Sequence, residues 1–121
     1  MTIVVKNKQT LFFDDFNFNC CIGKKGLTKN KIEGDKKTPI GFYSLGNLYY
    51  RADRVKKPET SLKCIKIKKS MGWCNDISFP RKYNKLFKIE KGVKHEKLKR
   101  QDYKYDLLIP IKYNFKKPIP G

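Results

Sequence analysis

Apolar and polar residues alternate over short stretches of this chain. Met1-Thr2-Ile3-Val4-Val5-Lys6 reads as a strand, Asn7-Lys8-Gln9 as a turn, and Thr10-Leu11-Phe12-Phe13 as the returning strand of a hairpin. Phe16-Asn17-Phe18-Asn19-Cys20-Cys21-Ile22 has period two and predicts a third strand. Gly23 to Pro39 is rich in Gly, Lys and Asp without periodicity, which predicts a long loop. Strand character returns at Ile40 to Leu45, at Tyr49-Tyr50-Arg51 and at Leu62 to Lys68. Gly72-Trp73-Cys74-Asn75-Asp76 reads as a turn, Asn75 to Asn84 as irregular, and Val93 to Arg100 as one or two helical turns. Tyr105 to Tyr113 is the most apolar run, and Pro110 bulges it or breaks it in two.

Short strands separated by turns predict a mostly-β fold, a sandwich or barrel with long loops, built as a single domain over residues 1–121. No apolar run approaches the roughly 18 residues of a membrane span. Met1 to Thr10 has no apolar h-region, so no cleavable signal peptide is expected.

The chain has 29 basic and 11 acidic residues, a formal net charge of +18. Taken alone, that charge points to nucleic acid. The basic residues are 25 Lys and only 4 Arg, accompanied by 11 Ile, 8 Asn and a single Ala, Ala52. Base and phosphate readout favours Arg, whose fork binds bidentately. The lysines are scattered in pairs such as Lys24-Lys25 and Lys68-Lys69, with no block or stripe. A solvated lysine surface is therefore expected, with loose affinity for polyanions and no dedicated nucleic-acid face.

The four cysteines, Cys20, Cys21, Cys64 and Cys74, form no C-x-x-C pair, so neither a zinc ribbon nor a thioredoxin-type site is expected. Cys20 and Cys21 read as buried free thiols on opposite faces of a strand. A Cys–His nucleophile pair would have to recruit His95, the single histidine, and nothing in the spacing requires Cys74 and His95 to meet. His95 reads as a structural residue bonded to backbone or to an Asp. Gly23-Lys24-Lys25-Gly26 lacks the Gly-Lys-Ser/Thr ending of a phosphate loop. In Lys31 to Tyr43, Gly34 and Gly41 permit unusual backbone angles, and Pro39 drives Thr38 into an extended conformation.

Several blocks occur in a recognisable order. They are Gly23-Lys24-Lys25-Gly26-Leu27-Thr28, Lys31-Ile32-Glu33-Gly34-Asp35, Thr38-Pro39-Ile40-Gly41-Phe42-Tyr43 and Tyr50-Arg51-Ala52-Asp53-Arg54. Then follow Gly72-Trp73-Cys74-Asn75-Asp76, Tyr83-Asn84, His95 to Asp102, Tyr105-Asp106, Tyr113-Asn114 and Pro118-Ile119-Pro120-Gly121. In order and spacing they resemble the L,D-transpeptidase (YkuD-like) catalytic domain.

The resemblance implies an antiparallel β-sandwich-like domain acting on peptidoglycan stem peptides at the cell envelope or periplasm, without metal or cofactor. In that family a Cys thiolate attacks the carbonyl of a donor tetrapeptide and D-Ala leaves. An acceptor amine then resolves the thioester, with a His as base and backbone N–H groups holding the oxyanion. The family's catalytic His strand and Gly-Cys turn follow the block matched here by Pro118-Ile119-Pro120-Gly121, where this sequence ends, so the expectation is a domain incomplete on its C-terminal side and inactive alone. No Gly-Cys pair is present: the cysteines follow Asn19, Cys20, Lys63 and Trp73. No catalytic residue is therefore carried over.

The motif loops nominate Trp73, Tyr83, His95, Arg100 and Tyr105 beside a substrate groove, with Asp102 next to them. Trp73 reads equally as a packing aromatic, and Arg100 as a loop clip to Asp102 or Asp106. Gly34, Asp35, Thr38, Pro39 and Gly41 read as structural, shaping the long loop. Two further readings stand beside the first: a non-catalytic peptidoglycan-binding relative, and a basic β module that binds nucleic acid.

Overall fold

The computed structural model describes residues 2–119. Met1, and the Pro120-Gly121 end of the last motif block, lie outside the described residues. Among the described residues there is no helix, and eleven short strands make up the regular structure. The mostly-β expectation holds. The strands form three three-stranded sheets and one two-stranded ladder, and none of these closes into a barrel.

The chain divides into two compact units, one reaching to Phe42 and one starting at Tyr43. In the first, β1 (Ile3–Val5), β2 (Thr10–Phe13) and β3 (Phe16–Asn19) form an antiparallel meander. The Asn7 carboxamide accepts the backbone N–H groups of Gln9 and Thr10 at 2.9 Å each, which fixes the first turn. Register places Ile3, Phe13 and Phe16 in one row and Val5, Leu11 and Phe18 in the next, all on one face. Val4, Phe12 and Asn17 share the other. Cys20 and Cys21 lie beyond the end of β3, Cys20 half-buried and Cys21 exposed, which corrects the expectation of two buried thiols.

The segment read as an unstructured loop contains β4 (Leu27–Thr28) and β5 (Thr38–Pro39), which pair in parallel. Pro39 is tolerated because this ladder has only two strands and needs no N–H from it. Regular structure therefore falls at Thr38–Pro39. The expected strand at Ile40 to Leu45 is absent but for a single bridge from Leu45 to Ile111.

The second unit contains β6 (Leu48–Tyr50), β7 (Cys64–Lys66), β8 (Met71–Cys74), β9 (Leu86–Lys88), β10 (His95–Lys97) and β11 (Leu107–Leu108). β6 is central in one sheet, parallel to β7 and antiparallel to β11. β8 is central in the other, antiparallel to both β9 and β10. Two expectations fail here. The Gly72-Trp73-Cys74 turn is a strand, and the helical turns at Val93 to Arg100 contain β10. His95-Glu96-Lys97 lacks apolar alternation and is a strand because it completes the ladder of β8. Pro110 does break the apolar run, which leaves β11 and the separate bridge at Ile111.

Tyr49, Ile67 and Leu98 form the buried core of this unit, with Ile65, Met71, Trp73, Leu86, Tyr105 and Leu108 packed around them. Gly72 sits where Phe87 and His95 close over the sheet. A Cβ there would lie 3.2 Å from each ring and 3.0 Å from Ile89, so the strand carries glycine at that point. No helix among the described residues is long and apolar enough to cross a membrane.

Candidate functional site

In the first unit, Asp35 organises the long loop. One carboxylate oxygen accepts the Ile32 N–H at 2.9 Å, and the other accepts the Lys37 N–H at 2.8 Å and the Lys31 ammonium at 2.6 Å. These hydrogen bonds, that from Ile32 foremost, hold its pKa down at about 2. Gly34 has a φ of 77°, the left-handed geometry that this turn needs. The Thr38 hydroxyl accepts the Gly23 N–H at 2.8 Å and ties the two ends of the loop together. Pro39 lies in β5, and Gly41 is exposed just beyond it. In this geometry Asp35 and Thr38 fix backbone N–H groups of the loop, and Gly34 supplies its left-handed turn.

In the second unit, Trp73 lies directly opposite Glu96 in the register of β8 and β10, so both side chains face the same way. Arg100 reaches Glu96 at 3.2 Å and grips Asp102 with Nε and Nη2, the shortest contact being 2.7 Å. Its guanidinium carbon also stands 5.9 Å from the Tyr105 ring centre. The Arg100 hydrogen bonds hold Asp102 down at about 2. Burial, assisted by a hydrogen bond with Glu96, pushes the Tyr105 phenol up to about 12. Trp73, Arg100 and Tyr105 thus gather around Glu96, a residue that the sequence reading did not nominate.

His95 faces the opposite side of that sheet, directly across from Cys74. The flanking hydrogen bonds, Asn75 N–H to Lys94 carbonyl and Leu98 N–H to Met71 carbonyl, make this the closer, non-hydrogen-bonded type of pair. Spacing alone did not reveal the juxtaposition. Cys74 is 1% exposed, so its thiol is closed to a polymeric substrate. His95 Nδ1 is 2.7 Å from the Val93 carbonyl, an acceptor, so Nδ1 carries the proton. Its ring meets Phe87 edge-on at 5.7 Å. Tyr83 is buried in the turn that leads to Asn84.

Trp73 also lines a cleft of about 350 Å³ together with Tyr49, Leu62, Lys63, Lys112 and Phe115. Asn84 joins two of its walls. Its carboxamide oxygen accepts the Trp73 indole N–H at 3.1 Å, and its nitrogen donates to the Tyr113 and Asn114 carbonyls at 3.3 and 3.0 Å. Asn84 does so from a φ of 54°, a geometry that Asn tolerates better than most residues. Lys63, Lys112 and Phe115 carry no local signal. They reach the cleft through the pairing of β6 with β7 and the Leu45–Ile111 bridge.

Two arginines clip the surrounding loops. Arg51, buried, grips Asp53 with two nitrogens and donates to the Arg100 carbonyl. Arg54 donates to the carbonyls of Gln101 and Asp102 and pairs with Asp106 at 3.0 Å. Asp76, also buried, accepts the backbone N–H groups of Lys94 and Ser78, and these lower its pKa. Among the described residues no group of three or more His, Cys, Asp or Glu side chains could hold a metal ion.

Compared with protein families, curated proteins and solved structures, the chain matches none of them.

Proposed function

We propose that this chain is the substrate-holding part of an L,D-transpeptidase-type domain and binds peptidoglycan stem peptides at the cell envelope without turning them over by itself. One observation carries the reading: the motif blocks, far apart in sequence, bond to one another. The Gly72–Asp76 block reaches Tyr83-Asn84 through Trp73, and Asn84 reaches Tyr113-Asn114. The Tyr50–Arg54 block reaches the His95–Asp102 block and Asp106 through its two arginines. On this reading the antiparallel ladders of β8, β9 and β10, and of β6 and β11, are parts of the sandwich that the resemblance implies.

The chemistry assigned to the chain follows from its side chains. Thioester formation needs an accessible thiolate beside a base. Cys74 is enclosed and no cysteine follows a glycine. Holding a peptide needs an aromatic wall and fixed polar groups, which Trp73, Asn84 and the Glu96–Arg100–Tyr105 cluster supply.

The test is to incubate the purified chain with a labelled tetrapeptide donor and an amine acceptor, and separately with insoluble peptidoglycan sacculi. No D-Ala release and clear co-sedimentation are expected. A chain that releases D-Ala, or that stays in the supernatant, overturns the reading.

A further inference from the structure

The cleft beside Trp73 carries two cations that the motif-based reading leaves unused. Lys63 leads into β7, its carbonyl accepting the Leu48 N–H at 2.9 Å. Lys112 follows the Leu45–Ile111 bridge, its own N–H bonded to the Ser44 carbonyl at 2.8 Å. The Lys112 ammonium lies 5.7 Å from the Phe115 ring centre, so the head group is held over the aromatic wall. Among the described residues neither lysine takes part in an ion pair; the pairs engage Lys31, Lys82, Lys99, Arg51, Arg54 and Arg100. No Asp or Glu lines the cleft.

Composition reinforces the point. From Tyr43 onward the sequence has 21 basic and 7 acidic residues, a formal +14. A hollow walled by Tyr49, Trp73 and Phe115 and lined by two lysines without an acidic partner complements a ligand with the inverse pattern.

We propose that this cleft binds a small organic anion with an apolar body, its carboxylate held by Lys63 and Lys112 and its body laid against Tyr49, Trp73 and Phe115. The proposal rests on the reading above only in treating the Trp73 face as a binding surface. It does not require that the ligand come from the cell wall.

Trp73 is the single tryptophan, so its fluorescence reports on the cleft directly. The purified chain is titrated with N-acetyl-dileucine as the free acid and as the C-terminal amide. Saturable change with the acid is expected, with the amide at least about tenfold weaker, the usual scale of one lost charge-assisted interaction. In the double variant Lys63→Gln, Lys112→Gln the acid should fall to the level of the amide, with the thermal transition unmoved. Equal binding of acid and amide, or no response of Trp73 to either, overturns the proposal. Acid binding without sedimentation on sacculi keeps the proposal and removes the cell-wall reading. Sedimentation of the wild type on sacculi, with equal binding of acid and amide, does the reverse.

Discussion

The unit ending at Phe42 and the unit starting at Tyr43 use similar side chains for different ends. In the first, the meander gathers Ile3, Val5, Leu11, Phe13, Phe16 and Phe18 on one face, yet Phe16 stays 64% exposed and Phe18 50%. In the second, β6 alone buries Leu48, Tyr49 and Tyr50, and Leu98 is 1% exposed. Among the described residues every buried apolar side chain lies at or beyond Leu48. Alternation at period two sets which residues share a face, whereas burial depends on what a distant segment places against that face. The meander pairs near neighbours. β6 pairs with β11, so Tyr50 meets Leu107, and the core itself joins Tyr49 to Ile67 and Leu98, contacts distant in sequence.

The comparison would break if the two units responded alike to truncation, and the largest effect belongs to the core. Leu98→Ala should lower stability by about 2–5 kcal/mol in urea unfolding, because the site is enclosed and a cavity remains. An intermediate effect is expected from acid. Asp35, Asp76 and Asp102 all have depressed native pKa values, Asp35 and Asp102 at about 2. Their stabilisation is complete above the unfolded value near 3.8 and is lost as the pH falls toward 2. Circular dichroism across that range should show an acid limb, and Asp76→Asn should flatten it more than Glu59→Gln does.

At the alkaline end, Tyr105 is raised to about 12, so its contribution is present below 10 and fades as the pH climbs through 12. Absorbance titration of the phenols should lose its latest component in Tyr105→Phe. The smallest effect is assigned to the meander face. Phe16→Ser should change stability by no more than about 0.5 kcal/mol, as exposed positions usually do. A loss as large as that of Leu98→Ala would show that the first unit relies on a buried face after all.

Legibility in the sequence follows the same division. Asn7-Lys8-Gln9 and the alternation on either side of it announced the hairpin, because turn and pairing are both local. β8 did not announce itself: Gly72 reads as a breaker, and its reason for being there, the rings of Phe87 and His95, lies 15 and 23 positions downstream. β10 is polar and short, and only its ladder with β8 makes it a strand. Trp73, Arg100 and Tyr105 were nominated through motif resemblance, and the structure groups them around Glu96. Lys63, Lys112 and Phe115 were invisible because they join Trp73 only through long-range pairing. The exposure of Cys21 went unseen for a simpler reason: β3 ends at Asn19, three residues before the period-two stretch ends at Ile22.

The proposed role of the second unit turns on Trp73, whose indole is fixed by Asn84 at the wall of the cleft. The most direct test is co-sedimentation of purified wild type and Trp73→Leu with peptidoglycan sacculi, with the thermal transition of each recorded alongside. Wild type should sediment, and a folded Trp73→Leu should lose about tenfold or more in affinity, as removal of an aromatic hot spot commonly does. Equal sedimentation of the two, or none by wild type, would contradict the account.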